Sequence, residues 1–94
     1  MKATLLLKER HVLSETSFAE LLVWRVPSPV RGSQHDFKYR LAYIENGECI
    51  LRYDNEAGKG DHRHHRGIEE PFAFSSPRAL LEMFWKDVDD WRTG

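Results

Sequence analysis

One cysteine, Cys49, stands alone in the chain, so no internal disulfide can form and the fold must rest on packing and hydrogen bonds; this fits a reducing compartment. Long apolar runs are missing too. Only Leu5 to Leu7 separate Lys2 from Lys8, too little for the apolar region of a signal peptide, and no run is long enough to span a bilayer. The expectation is a cytoplasmic protein without a membrane partner. An excess of one charge is also lacking. Fourteen Lys and Arg against 15 Asp and Glu leave a net charge of −1, so the total does not advertise nucleic-acid binding. Repeats and low-complexity segments are absent.

What remains is a 94-residue chain with 40% hydrophobic and 31% charged residues, which bounds it to one globular domain over residues 1–94 with one modest core. Aromatic rings bury much area per residue and suit a core of that size. Charge is unevenly spread. Residues 68–94 carry Glu69, Glu70, Glu82, Asp87, Asp89 and Asp90 against Arg78, Lys86 and Arg92. The middle holds Arg31, Lys38, Arg40, Arg52, Lys59, Arg63 and Arg66, bases that can converge on one side.

Hydrophobic alternation gives the coarse fold. Residues 3–13 read as a strand, Ser14 to Ser17 as a turn, and Phe18 to Val26 as the returning strand. A helix competes for the second segment, because Ser17 and Glu20 match a capping box, but Val23, Trp24, Val26 and the following Pro27 favour extended backbone. Pro27 to Gln34 is a loop. Phe37, Tyr39, Leu41 and Tyr43 then alternate with Lys38, Arg40, Ala42 and Ile44, and Asn46-Gly47 supplies the positive φ angles of a type I′ turn into the partner strand, Cys49 to Tyr53. Glu69 to Phe74 reads as a short edge strand. Ser76 as N-cap and Pro77 at the first helical position open a helix whose Leu80, Leu81, Phe84, Trp85, Val88 and Trp91 form one apolar stripe, with Glu82 and Lys86 spaced to pair. The fold class expected is α+β: a four-stranded, mainly antiparallel sheet of two hairpins, with the C-terminal amphipathic helix packed on one face.

Between hairpin and helix, Tyr53 to His65 concentrates the reactive groups. Asp54, Asn55, Gly58 and Gly60 are loop-shaping residues, and a plain connection explains half the segment. Three imidazoles are harder to explain that way. Asp61, His62, His64 and His65 are all metal-ligand types, a weakly specific pattern with no second cluster, while His11 and His35 are isolated. Phosphodiester chemistry on RNA is a further reading. It needs a proton acceptor for the 2′-hydroxyl, a proton donor for the leaving oxygen and cations over the phosphate. His62 and His64, on one face of an extended backbone, suit the first two tasks beside Asp61. Lys59, Arg63, Arg52 and Arg40 suit the third, and Tyr53 can stack on a base.

The runs Phe37 to Tyr43, Arg52-Tyr53-Asp54-Asn55-Glu56, Gly58-Lys59-Gly60-Asp61-His62-Arg63-His64 and Glu70-Pro71-Phe72-Ala73-Phe74 together resemble the TumE-like family of bacterial toxins over nearly the whole chain. The resemblance implies a toxin of a toxin–antitoxin pair, a helix-turn-helix antitoxin as partner, and by analogy a RelE-like, metal-independent endoribonuclease without a cofactor. His65 lies outside the shared pattern. The alternatives are a non-catalytic domain that grips a protein or ligand with the Asp-His-Arg-His run, and a metal-binding domain.

Overall fold

The computed structural model describes residues 2–94. Six strands follow one another in space as they do in sequence: β1 (Thr4–Ser14), β2 (Ser17–Arg25), β3 (Phe37–Glu45), β4 (Glu48–Asp54), β5 (His62–His65) and β6 (Ile68–Pro71). All pair antiparallel in the order β1-β2-β3-β4-β5-β6. One helix, α1 (Pro77–Thr93), closes the chain. The α+β class and the C-terminal helix agree with the sequence reading.

The strand count does not. The sheet has six strands, not four, because His62 to His65 is no loop but a strand that pairs with β4 and returns through Arg66-Gly67 to β6. Arg66 and Gly67 adopt φ of 53° and 82°, close to the 53° and 77° of Asn46 and Gly47, so the same turn chemistry recurs without its usual Asn. The loop expected after β4 shrinks to residues 55–61.

The alternation within β2, β3 and β4 decides which face the helix covers. Ala19, Leu21, Val23, Tyr39, Leu41, Tyr43, Leu51 and Tyr53 are buried beneath Leu80, Phe84 and Val88 of α1. Ser76 caps the helix, its Oγ accepting from Ala79 N at 3.1 Å, and Pro77 occupies the first turn. The ion pairs along α1 differ from expectation. Glu82 pairs back to Arg78 at 3.2 Å, and Lys86 pairs forward to Asp90 at 2.8 Å, so Glu82 and Lys86 do not pair with each other. Arg92 stitches the last turn to the sheet, donating to Ser17 Oγ and Tyr43 Oη at 2.9 and 3.2 Å.

The opposite face carries no helix. Cross-strand register lays two transverse rows on it. One runs Arg10, Glu20, Ala42, Arg52, His64, Glu69; the other runs Lys8, Leu22, Arg40, Asp54, His62, Pro71. No helix among the described residues is long and apolar enough to cross a membrane.

Candidate functional site at the open sheet face

The end of β4 sends three consecutive side chains to three destinations. Tyr53 points under the helix, where its hydroxyl donates to Asp87 Oδ2 at 2.5 Å and Arg63 Nη1 donates to the same oxygen at 3.0 Å. Burial, then the Asp87 hydrogen bond, pushes the Tyr53 hydroxyl up to about 12. The Arg63 guanidinium is held charged by Tyr53 and Glu70. Asn55 replaces a strand neighbour beyond the end of β4: its Oδ1 accepts from Tyr39 N at 3.0 Å, and its Nδ2 donates to Phe37 O at 2.6 Å and to Ser33 Oγ at 3.3 Å. An amide with both ends engaged satisfies the backbone of β3 where no strand continues. Between them, Asp54 faces the open side.

The loop that follows is shaped by a close backbone approach. Gly60 adopts φ +74° with Gly32 O so near that an added Cβ would sit 2.7 Å from it, and Gly58 N donates to Arg31 O at 2.7 Å. No other residue type fits there. This arrangement aims the Gly60 carbonyl at His62 Nδ1, 2.9 Å away. A carbonyl only accepts, so Nδ1 carries the proton and Nε2 is the free corner of the ring.

That corner enters a cluster. His62 Nε2 lies 2.6 Å from Asp54 Oδ1 and 3.4 Å from Glu69 Oε1, and His64 Nε2 lies 3.3 Å from Glu69 Oε2. Arg52 Nε stands 3.1 Å from Asp54 Oδ2, and Lys59 Nζ stands 3.6 Å from Glu69 Oε1. The distances are those of ion pairs. Yet His62 Nε2, His64 Nε2, Asp54 Oδ1 and Arg52 Nε are buried atoms without a hydrogen bond of acceptable geometry. His62 is 3% exposed.

The residues singled out in the sequence therefore separate. His62 and His64 share a face, as expected, with ring centroids 5.5 Å apart, and Arg52 and Arg40 lie on that same face. Lys59 reaches it from the loop. Asp61 turns away: its Oδ1 accepts from the Tyr39 hydroxyl at 2.5 Å and from His35 Nε2 at 2.8 Å, on the side of Phe72 and Phe74. Burial and the Asp61 carboxylate raise the Tyr39 hydroxyl far above its ordinary value. Tyr53 and Arg63 project beneath the helix, and His65 lies there beside Trp91, so a phosphate on the open face meets none of the three. Asp54 belongs to the cluster rather than to the loop.

Three participants were not visible beforehand. Glu69 joins because β6 places it opposite His64, a register readable only once β5 is known to be a strand. Asp54 acquires its role in the same way, opposite His62. His35, isolated in sequence, stacks on Phe74 with ring centroids 3.7 Å apart and pins Asp61.

Across the open face, Lys8, Arg10, Lys38, Arg40, Arg52 and the loop residue Lys59 outnumber Glu20, Asp54, Glu69 and the cleft-lining Glu56. The exposed acids of α1, Glu82, Asp89 and Asp90, lie on the far side of the molecule, while Asp87 faces the sheet. Two shallow clefts on the open face meet at Arg40: one of about 450 Å³ lined by Lys8, Arg10, Glu20 and Leu22, and one of about 340 Å³ lined by Lys38, Arg52 and Asp54.

The chain is thus a six-stranded meander sealed on one face by a helix and carrying on the other mixed rows of charge that end in an imidazole–carboxylate cluster. The chain belongs to the Toxin TumE family, whose model matches residues 2–92. Neither the curated proteins nor the solved structures contain a match. The chain is thus a member of a toxin family.

Proposed function

We propose that the chain is the toxin of a two-component toxin–antitoxin pair and that it acts on RNA as an endoribonuclease, with the strand lying across the open sheet face toward Asp54, His62, His64 and Glu69. One observation carries this reading. In a chain of net charge −1, six cations (Lys8, Arg10, Lys38, Arg40, Arg52 and Lys59) against four carboxylates (Glu20, Asp54, Glu56 and Glu69) are gathered on the face that no helix covers, and two imidazoles stand at its end. A segregated basic surface attracts phosphates where the total charge does not.

The chemistry suited to these groups is transesterification. The 2′-oxygen attacks phosphorus, the P–O5′ bond breaks, and the products are a 2′,3′-cyclic phosphate and a 5′-hydroxyl. The 2′-proton passes to His64, and the leaving 5′-oxygen takes a proton from a water molecule. His64 is the partly exposed imidazole and the one a ribose reaches, while His62 stands enclosed behind it. Arg52 and Arg40 lie under the path of the phosphates, where they stabilise the charge that builds on the pentavalent centre. A toxin family implies an antitoxin, and the basic face suits an acidic segment of a helix-turn-helix partner that covers it when the toxin is held inactive.

The test is cleavage of end-labelled RNA by purified protein. His64→Ala should lower the rate by about 10²- to 10⁴-fold, with cyclic phosphate as the wild-type product. An unchanged rate in that variant, or no cleavage of any RNA by folded wild type, removes the endoribonuclease assignment.

A further inference from the structure

We propose that His62, His64, Glu69 and Asp54 form a binding site for a divalent first-row transition metal ion, with Zn²⁺ as the probe. The inference does not depend on RNA cleavage. It rests on how three buried atoms are left without partners.

His62 is the decisive residue. Its Nδ1 is committed to Gly60 O at 2.9 Å, which fixes the tautomer and points the Nε2 lone pair into the cluster. Metal-bound imidazoles are commonly held in this way, the far nitrogen donating to a carbonyl or carboxylate. Around Nε2 stand Asp54 Oδ1 and Glu69 Oε1, both acceptors, and neither contact has hydrogen-bond geometry. Lone pairs converging on one point repel unless a cation is shared among them. A proton satisfies one line between two atoms; a metal ion satisfies several directions together. His64 repeats the pattern, with its Nε2 buried, unpartnered and 3.3 Å from Glu69 Oε2.

The spacing also fits. Ligand atoms of His62, His64 and Glu69 all lie within 4.8 Å of one another. Bonds of about 2.0–2.1 Å arranged tetrahedrally place neighbouring ligand atoms about 3.3 Å apart. The separations from Glu69 to the two imidazoles, His62 Nε2 to Oε1 at 3.4 Å and His64 Nε2 to Oε2 at 3.3 Å, are close to that edge, one through each carboxylate oxygen. Asp54 supplies the fourth donor, oriented through its other oxygen by Arg52 Nε at 3.1 Å, and its 2.6 Å approach to His62 has to lengthen as the ion enters. Two imidazole nitrogens with carboxylate oxygens select borderline cations over Mg²⁺ and Ca²⁺, which prefer all-oxygen shells. The sequence-level ligand set was different: Asp61 and His65 point elsewhere, and Asp54 and Glu69 take their places.

Two cations already compete for these carboxylates. Arg52 sits on Asp54, and Lys59 sits on Glu69 at 3.6 Å. Removing Lys59 should therefore tighten metal binding, a direction that a purely structural cluster does not produce.

The experiment is calorimetric titration of metal-stripped full-length protein with Zn²⁺, alongside visible absorption of the Co²⁺-loaded protein, whose bands report nitrogen–oxygen coordination. Wild type should bind one ion per chain. His64→Ala and Glu69→Gln, both at partly exposed positions, should each weaken binding by about 10- to 100-fold or more while circular dichroism stays unchanged, and Lys59→Ala should strengthen it. His11→Ala, which alters a histidine outside the cluster, should leave it as it is. Absence of stoichiometric binding at neutral pH, or equal affinity in wild type, His64→Ala and Glu69→Gln, overturns the proposal. Both readouts report binding, so they stand apart from any outcome of the RNA assay.

Discussion

The two faces of the sheet are built from the same strands and obey opposite rules. Beneath the helix, most polar groups are tied, with buried Arg63 Nε the exception: Tyr53 and Arg63 share Asp87, Tyr43 and Trp91 share Glu45, and Tyr39 and His35 share Asp61. On the open face, Lys8, Lys38 and Arg40 have no ion-pair partner among the described residues, and the atoms of the cluster meet at ion-pair distances without hydrogen-bond alignment. Four of the five buried unpartnered side-chain atoms among the described residues lie on the open face, and since unsatisfied polar groups are costly in a fold, a ligand there would relieve the most.

That contrast can be broken most severely from the satisfied side. Phe84 is fully enclosed between α1 and the sheet, and Phe84→Ala should lower unfolding free energy by about 3–5 kcal/mol, measured by urea titration. A loss below about 1 kcal/mol would mean that the helix does not hold this face. A smaller effect is expected from pH. The Tyr53 hydroxyl titrates higher when folded, so its contribution is fully present below the ordinary tyrosine range near 10 and is lost as pH rises toward about 12. Tyr53→Phe should flatten stability across that window; an unchanged alkaline slope would show that the Asp87 hydrogen bond is not formed. The smallest stability effect belongs to the open face. Arg40→Ala should change unfolding by no more than about 0.5 kcal/mol, yet weaken RNA binding and reduce its salt slope by about one phosphate contact. An unaltered slope would detach Arg40 from the nucleic-acid path.

How much of this was readable beforehand follows the same division. The helix-covered face was legible because apolar residues alternate: Tyr39, Leu41 and Tyr43 announce β3, Asn46-Gly47 announces its turn, and Ser76-Pro77 announces α1. β2 was read as a strand against a competing capping box, and Trp24 and Val23 decided correctly. β5 was illegible for a physical reason. Both its faces are polar, His62 and His64 toward Asp54 and Glu69, Arg63 toward Asp87, so hydrophobic periodicity has nothing to report. The usable signal was Arg66-Gly67, a tight turn one residue type away from the pattern recognised at 46–47. Missing β5 also hid the site, since Asp54 and Glu69 reach the imidazoles only through strand register. The shared face of His62 and His64 was legible, but the carboxylates they meet were not.

The strand order has a consequence in time. Because each strand pairs only with its neighbours in sequence, the sheet has few long loops to close and can grow one hairpin after another as the chain is made. The cluster is assembled only when β6 arrives, and the cover over Leu21, Leu41 and Leu51 arrives later still, with α1. Until α1 docks, the growing chain is a two-sided sheet with an uncovered apolar surface.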